Sequence, residues 1–262
     1  MLLAINEVEK RKGISQLHAN PKPLPRSIQH AVLYSILSMS CPKLYSYKES
    51  GNSYKARLLA AILNIDLEIA EVDFLNDEQH SPHFLAINPR GEVPTLVDEG
   101  KTFADSSSIL VWLAGKYGEN QQPGPSTYWS TDLAEQAAII NWLAFANSWI
   151  QYGVFTARAI LSFGGPYNGL GTASTEQTLQ EAIVRSHKSL DILDQHLDSN
   201  EWLANGRPTI ADLSVFVYVA LAPMGDIDLS PYKNIVGWIR RVRALPGFIP
   251  IEGLDDPLYR RR

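Results

Sequence analysis

The chain has 262 residues, of which 45% are hydrophobic and 19% charged, and its formal net charge is −5 at pH 7. This balance is typical of a globular protein, and the length suffices for one large domain or two small ones. Nucleic-acid binders usually carry a basic face, which this charge does not indicate, and no apolar run approaches the ~18 residues of a membrane span. The single cysteine, Cys41, excludes an internal disulfide and favours a reducing compartment.

Residues 1–40 differ in composition from the rest of the chain. A charged run is followed by the stretch NPKPLPRS, whose closely spaced prolines break helices. We therefore expect residues 1–40 to be either a disordered extension or a segment that does not belong to the native protein. Met39, near the end of this segment, would be a natural first residue for a cytosolic domain. A secretory signal is not supported because MLLAI is too short, and the acidic Glu7 and Glu9 argue against a mitochondrial presequence.

The next eighty residues alternate between strand and helix patterns. Residues 43–47 predict a strand, apolar side chains over 54–65 recur with the period of a helix, and residues 68–73 alternate as a second strand. The breaker-rich stretch NPRGEVP then separates this βαβ unit from a ββα unit. That second unit is expected to contain a hairpin over Thr95–Val97 and Lys101–Phe103 and a helix over 104–118.

The remainder of the chain is predicted to be helical. The polar stretch ENQQPGPSTYWS, which contains Pro and Gly, marks a domain boundary. Helices are expected over three ranges, about 132–163, 175–197 and 232–244. Thr209 and Asp212 have the spacing of a capping box ahead of a further apolar run. We therefore predict an α/β domain over residues 41–120 and an all-helical bundle over residues 131–250.

Four stretches occur in the order and spacing of one known family: LYSYKESGNSYKARLLAAILNID, NPRGEVPTL, FADSSSILVWLAGKYG and WLANGRPTIADLSVF. Together they resemble a cytosolic glutathione transferase over about residues 41–250. The resemblance implies a thioredoxin-like N-terminal domain and an all-α C-terminal domain. It is closer to the serine-type classes, such as theta and zeta, than to the tyrosine-type or cysteine-type enzymes. The SGN tripeptide is similar to that of some bacterial and fungal transferases.

A polar patch, Ser50-Gly51-Asn52-Ser53, lies at the junction of the first strand and the first helix. Ser and Asn are favoured at a helix start, so the patch predicts either a capped turn or an anion site. The resemblance implies that the Ser50 hydroxyl donates a hydrogen bond to the sulfur of glutathione, with Asn52 or Ser53 as alternative donors. The sulfur has to be ionised because the thiolate, and not the thiol, is the nucleophile.

The remaining contacts with glutathione are also implied by the resemblance. Val93 and Pro94 match the family's cis-proline pair, whose valine backbone pairs with the cysteinyl unit like a strand edge. Asp105 would meet the α-amino group of the γ-glutamyl end, and Ser106 would bind its carboxylate at a helix start. Glu92 either contacts the glycyl region or faces solvent. From the residues alone, an ordinary trans proline and a helix cap stay open as alternatives.

The second substrate is expected to bind between the domains, against the first long helix of the helical half. Trp142, Ala146 and Trp149 are the candidate pocket residues, with Tyr152 and Phe155 near them. An aromatic stripe at helical spacing can also belong to the core. The aromatic side chains favour an apolar electrophile but do not identify it.

Two other patterns are given no chemical role. His80 and His83 form an H-x-x-H pair, but no cysteine or third histidine lies near them in the sequence, so no metal site is predicted. Asp212 resembles the family's buried capping aspartate, and its expected contribution is to stability.

The sequence therefore predicts a transferase that adds the thiolate of its cofactor, glutathione, to a hydrophobic electrophile. One alternative is a glutathione-dependent cis-trans isomerase of the maleylacetoacetate isomerase kind, which the LYSY opening favours and Tyr54-Lys55, in place of the zeta Trp-Arg pair, disfavours. A second alternative is a non-catalytic binding module with the transferase fold. Composition argues against nucleic-acid and membrane partners, and the resemblance implies a homodimer in the cytoplasm.

Overall fold

A sheet and its flanking helices form the first half of the computed structural model, which describes residues 41–118, 128–165 and 173–260. The elements are β1 (Lys43–Ser46), α1 (Gly51–Ile62), β2 (Glu68–Glu71), α2 (Pro82–Ile87), β3 (Thr95–Asp98), β4 (Lys101–Ala104) and α3 (Ser106–Tyr117). Two short 3₁₀ turns, Phe74–Asn76 and Glu78–His80, precede α2. The four strands, α1 and α3 lie close to their predicted positions.

The sheet has the strand order β2-β1-β3-β4. β1 and β2 run parallel, so α1 is the crossover of the predicted βαβ unit. β3 runs antiparallel to both of its neighbours, and its first residue, Thr95, lies opposite Tyr45 of β1 and Ala104 of β4. This register brings the last residues of β1 and β4 and the first residue of β3 to the same end of the sheet.

The rest of the described chain is helical. Its elements are α4 (Leu133–Phe145), a π-helical segment (Ala146–Phe155), α5 (Thr156–Phe163), α6 (Glu176–Ser199), α7 (Ile210–Ala220), a 3₁₀ turn (Ala222–Gly225) and α8 (Lys233–Arg243). None of the helices in the described ranges is long and apolar enough to cross a membrane.

The predicted architecture, a thioredoxin-like α/β half followed by an all-α half, is confirmed. The domain bounds 41–120 and 131–250 stay predictions. Residues 1–40, to which the sequence assigned an extension, lie outside the described residues, as do residues 119–127 of the predicted linker.

The predicted long helix over 132–163 is continuous, but its middle is π-helical. Within this stretch the hydroxyl of Thr156 donates to the carbonyl of Gln151, five residues earlier, at 2.9 Å. Gly153 lies where α6 crosses the segment, because a Cβ there would stand 3.0 Å from the backbone nitrogen of Ser186. This close crossing of α6 favours glycine at position 153 in the π-helical segment.

α7 is the central helix of the helical half, and every one of its residues is buried. Its start is held by Asp212, which is 0% exposed. One carboxylate oxygen accepts from the backbone N–H of Leu203 at 3.1 Å and from the indole N–H of Trp238 at 3.0 Å. The other accepts from the backbone N–H of Thr209 at 2.9 Å. The predicted capping box is therefore confirmed, and it reaches two further segments.

The carboxyl group of Asp212 combines desolvation with several hydrogen-bond donors. Burial raises the pKa of Asp212 to about 6, while the hydrogen bonds from Trp238, Leu203 and Thr209 act to lower it. The group is therefore ionised at neutral pH. Its removal would leave buried donors in three segments without an acceptor.

We expect Asp212→Ala to lower the free energy of unfolding by about 3 kcal/mol or more, because the buried donors lose their acceptor. Asp132→Ala is the matched control, since Asp132 caps α4 through a single exposed hydrogen bond from the Glu135 N–H at 2.9 Å. Losing that cap should cost about 1 kcal/mol. Urea unfolding followed by tryptophan fluorescence measures both changes, and equal losses would contradict the role given to Asp212.

Candidate functional site

Three segments with predicted glutathione contacts meet at one end of the sheet. They are the turn at 47–50 after β1, the residues before β3 and the residues after β4. Thr95 lies opposite Tyr45 of β1 and Ala104 of β4, so Pro94, Ser46 and Asp105 each directly adjoin these paired residues at the same end of the sheet. The fold thereby brings together residues that are about fifty positions apart in the sequence.

Ser50 is the N-cap residue of α1. Its backbone N–H donates to the carbonyl of Tyr47 at 3.0 Å, which closes the turn. Its side-chain oxygen accepts from the backbone N–H of Ser53 at 3.1 Å. No acceptor for the hydroxyl hydrogen occurs in the described part of the chain, so this hydrogen can be donated to a bound group. A helix cap and a ligand contact are therefore compatible at Ser50.

Asn52 and Ser53 occupy different positions at the same helix start. Ser53 is fully buried, and its hydroxyl oxygen accepts from the backbone N–H of Tyr47 at 3.4 Å. Asn52 is half-buried, and its backbone N–H faces the hydroxyl of Tyr218. Ser53 is thus engaged inside the turn, whereas Ser50 and Asn52 are accessible from outside it.

Tyr218 of α7 packs directly under the start of α1. A Cβ at Gly51 would stand 2.5 Å from Cε1 of Tyr218, so this approach requires glycine at position 51. Phe155 of the π-helical segment packs edge-to-face on the same ring, with centroids 4.8 Å apart. Burial raises the pKa of Tyr218 above its ordinary value, so its hydroxyl stays protonated.

Lys55 is a buried cation one turn further along α1. Its side chain is 1% exposed, and its ammonium nitrogen lies 5.3 Å from the centroid of the Tyr218 ring. Burial lowers the pKa of Lys55 to about 8, and the negative charge of Asp105 acts to raise it. Lys55 therefore places a positive charge near the predicted γ-glutamyl contact, a role that the sequence pattern did not indicate.

The peptide bond between Val93 and Pro94 is cis, as predicted. Asn88 holds the preceding segment, because its side-chain amide donates to the carbonyl of Glu92 and to the hydroxyl of Thr95, both at 2.9 Å. Val93 is half-buried and the side chain of Glu92 is exposed. A contact of Glu92 with the glycyl region stays a prediction.

Asp105 is the N-cap residue of α3, and its carboxylate accepts from the backbone N–H of Ser107 at 2.8 Å. Its φ of 74° is uncommon outside glycine, although Asp tolerates this region better than most residues. Ser106 is buried, with 4% exposure. The hydroxyl of Ser107 accepts from the side-chain amide of Asn147 at 2.9 Å, which links the π-helical segment to this end of the sheet. Sequence reasoning did not identify Asn147.

The predicted pocket residues lie largely against α6. Trp142 is 8% exposed, and its ring centroid is 4.6 Å from that of His196 in α6. Ala146 is buried. Trp149 is 36% exposed and lies 5.7 Å from the guanidinium of Arg185, also in α6. These contacts give Trp142 and Ala146 core positions, and the role of all three residues in a substrate pocket stays a prediction.

The H-x-x-H pair lies on the surface around the start of α2. His80 Nδ1 is 2.7 Å from a carboxylate oxygen of Asp77, and His83 is exposed. Within the described ranges, no three His, Cys, Asp or Glu side chains lie close enough to hold a metal ion.

Glu49, which precedes Ser50, is a site neighbour that sequence reasoning missed. Its side chain is charged but only 3% exposed. The carboxylate accepts hydrogen bonds from Tyr47, Tyr259 and Arg260. Two of these donors lie about 210 residues away, so no local pattern could have identified them.

Comparisons with known proteins agree with this geometry. The models of the glutathione S-transferase N-terminal and C-terminal domains match residues 44–121 and 150–246. The URE2 protein of Candida maltosa is 34% identical over 235 residues, which cover 79% of this chain and 71% of that protein. Glutathione S-transferase D7 of Drosophila melanogaster is 25% identical over 207 residues, which cover 78% of this chain and 86% of that protein.

A solved structure, described as a possible glutathione S-transferase from Rhodopseudomonas palustris, is 34% identical with a TM-score of 0.69. The alignment covers 80% of this chain and 98% of that structure. The fold, the site and these matches define a two-domain thioredoxin-like protein with a serine at the first helix start. The chain belongs to the glutathione S-transferase family, as predicted, while its serine-type subgroup stays a prediction.

We expect Gly51→Ala to lower the free energy of unfolding by about 1–3 kcal/mol, because Tyr218 has to move to admit the methyl group. Gly115→Ala in α3 is the control, since its Cβ would lie 3.7 Å from Trp129, an ordinary contact. Alanine in a helix interior should leave that variant unchanged or stabilise it by up to about 1 kcal/mol. Urea denaturation measures both free energies of unfolding, and equal stability of the two variants would contradict the steric role given to Gly51.

The buried ammonium of Lys55 should make stability depend on pH. Its pKa of about 8 in the folded chain lies below the ordinary 10.5, so between these values the unfolded chain binds more protons. Lys55 therefore makes stability rise with pH across this window. We expect Lys55→Met to be more stable than the wild type at pH 7, with the advantage shrinking by about 2 kcal/mol near pH 9.5. Chemical denaturation at both pH values tests this, and a constant difference would contradict it.

Proposed function

We propose that the chain is a glutathione transferase in which Ser50 stabilises the glutathione thiolate for attack on an electrophilic carbon of an apolar substrate. Membership of the glutathione S-transferase family supports the reaction class. The observation that carries the residue assignment is the hydrogen bonding of Ser50. Its oxygen accepts from the Ser53 N–H at 3.1 Å, which orients the hydroxyl and leaves its hydrogen to be donated.

Glutathione would be a co-substrate in this reaction rather than a resident cofactor. The residues at the sheet end fit its parts: the Val93 backbone beside a cis-proline suits the cysteinyl unit, and the exposed carboxylate of Asp105 suits the α-amino group. The start of α3 at Ser106 offers backbone N–H groups and a positive dipole end for the γ-glutamyl carboxylate. The buried charge of Lys55 would add to the attraction for that carboxylate.

The chemical demand on the site is the ionisation of sulfur. A cysteine-like thiol has a pKa near ~8.5, so only a few per cent is ionised at neutral pH. A shift of two units corresponds to roughly 2.7 kcal/mol, which a hydroxyl donor together with the helix dipole can supply. The thiol proton passes to solvent, the sulfur forms a bond to the electrophilic carbon, and a leaving group departs or a π bond accepts the electron pair.

A binding module without catalysis is the second candidate. It is favoured by the match to URE2, a relative whose name does not describe a transferase. The isomerase alternative, the cytoplasmic location, the homodimer and the identity of the second substrate stay predictions. Product analysis separates the candidates: a transferase yields a stable glutathione adduct, an isomerase returns glutathione with a rearranged substrate, and a binding module yields neither.

We expect Ser50→Ala to reduce kcat/KM with a model electrophile by about a hundredfold, because one donor to a developing anion is removed. Ser81→Ala is the matched control, since Ser81 caps α2 by accepting from the Phe84 N–H at the same 3.1 Å distance. The two variants should lose similar stability, whereas only Ser50→Ala should lose turnover.

Asn52→Ala identifies which residue serves as the donor. With Ser50 as the donor, Asn52→Ala should keep most of the wild-type kcat/KM. Loss of turnover in Asn52→Ala with full activity in Ser50→Ala would reverse the assignment. Unchanged activity in both variants would contradict the assignment of thiol activation to either Ser50 or Asn52.

A further inference from the structure

Residues 245–260, which we call the strap, follow α1 from its C-terminal end to its N-terminal end. Near the first end, a Cβ at Gly247 would stand 2.7 Å from the carbonyl oxygen of Ala61. In the first turn of α1, the hydroxyl of Tyr54 donates to the carbonyl of Ile249 at 2.6 Å. The strap then reaches the turn that contains Glu49.

The last contact of the strap is a set of charge-assisted hydrogen bonds to Glu49. One oxygen of its carboxylate accepts from the Tyr259 hydroxyl at 2.6 Å and from the Arg260 Nε and Nη2 at 2.9 and 2.7 Å. The other oxygen accepts from the Tyr47 hydroxyl at 2.8 Å. Four donors therefore converge on the residue that directly precedes Ser50.

Between its contacts the strap does not pack tightly on α1. A cavity of about 490 Å³ separates the two, lined on the helix side by Lys48, Tyr54 and Arg57 and on the strap side by residues 249–256. The middle of the strap packs on the helical half instead, where Ile251 is 7% exposed and the ring of Phe248 lies 5.7 Å from that of Phe216. The Glu49 contacts therefore attach the far end of the strap to the turn before Ser50.

The charge of Glu49 matters because of what it adjoins. Burial raises the pKa of Glu49, but the hydrogen bonds from Tyr259, Arg260 and Tyr47 outweigh it and leave the pKa below its ordinary value. The side chain is therefore an anion next to the place where a thiolate would form. An uncompensated anion there would oppose ionisation of the sulfur, and Arg260 supplies the compensating positive charge.

We propose that Glu49 is a positioning residue for Ser50, and that Tyr259 and Arg260 of the strap hold and neutralise it so that the turn accepts a thiolate. This inference rests on the proposed function. The strap thereby takes part in thiol activation although Tyr259 and Arg260 act only through Glu49. The hydrogen bonds to the Glu49 carboxylate fix the turn. The guanidinium of Arg260 balances the negative charge of Glu49, which would otherwise oppose ionisation of the thiol.

The test is an ultraviolet titration of glutathione bound to the full chain, which measures the pKa of its thiol directly. We expect Arg260→Gln to raise this pKa so that the thiolate fraction below pH 7 falls roughly tenfold, with kcat falling more than KM rises. The double variant Glu49→Gln with Arg260→Gln removes both charges and should restore the thiolate fraction to within about twofold of the wild type. Arg260→Lys keeps the charge and should also stay within about twofold.

Arg243→Gln is the control, because Arg243 pairs with Asp255 of the strap at 2.8 Å, whereas the hydrogen bonds to Glu49 within the described ranges come from Tyr47, Tyr259 and Arg260. It should leave the thiol pKa unchanged. A purely structural role would lower the unfolding midpoint of Arg260→Gln without moving the thiol pKa, and that result would overturn the inference.

The wild type distinguishes failure of the inference from failure of the proposed function. A wild-type chain that does not lower the thiol pKa overturns both. A wild-type chain that lowers it, with Arg260→Gln giving the same value, overturns only the role of the strap. Circular dichroism of each variant establishes that it is folded, and Tyr259→Phe, which removes one neutral donor, provides a milder variant whose small pKa rise also tests the proposal.

Discussion

The buried carboxylate of Asp212 is the constraint on which the rest of the structure depends. It joins the start of α7, the segment around Leu203 and the indole of Trp238 in α8 through buried hydrogen bonds. α7 in turn is the helix on which α1 rests. A capping interaction in the helical half thus determines where the Ser50 turn lies in the other half. Asp212 therefore contributes both to the stability of the protein and to the position of the Ser50 turn.

Much of the fold was predictable because its signals are local. Alternation over a few residues indicated the strands, and apolar spacing indicated α1 and the long helices. The two members of the capping box, Thr209 and Asp212, lie only three positions apart. The contacts implied at Ser50, at Val93-Pro94 and at Asp105-Ser106 come together because the strand register places those segments side by side. For these three segments, the prediction from local sequence patterns agrees with the topology of the sheet.

The parts that could not be predicted depend on residues far apart in the chain. Two of the residues that donate to Glu49, Tyr259 and Arg260, lie about 210 positions away, and nothing in the charged pair Lys48-Glu49 distinguishes a buried carboxylate from a solvated one. A helical wheel for 132–163 assumes one period throughout, whereas the π-helical segment shifts every side chain that follows its start. This shift explains why Trp149 was difficult to assign from spacing alone. Trp142 precedes the π-helical segment, and its ring packs on His196 of α6, a contact that spacing along one helix does not show.

The contact between Gly51 and Tyr218 also bears on how the two halves can be recombined. One residue comes from the α/β half and the other from the helical half, and the space that the tyrosine ring fills is the space that a side chain at position 51 would need. Chimeras that take each half from a different relative would therefore inherit matched or mismatched pairs at this joint. A chimera built from this chain would therefore have to keep a small residue at position 51 wherever it keeps Tyr218.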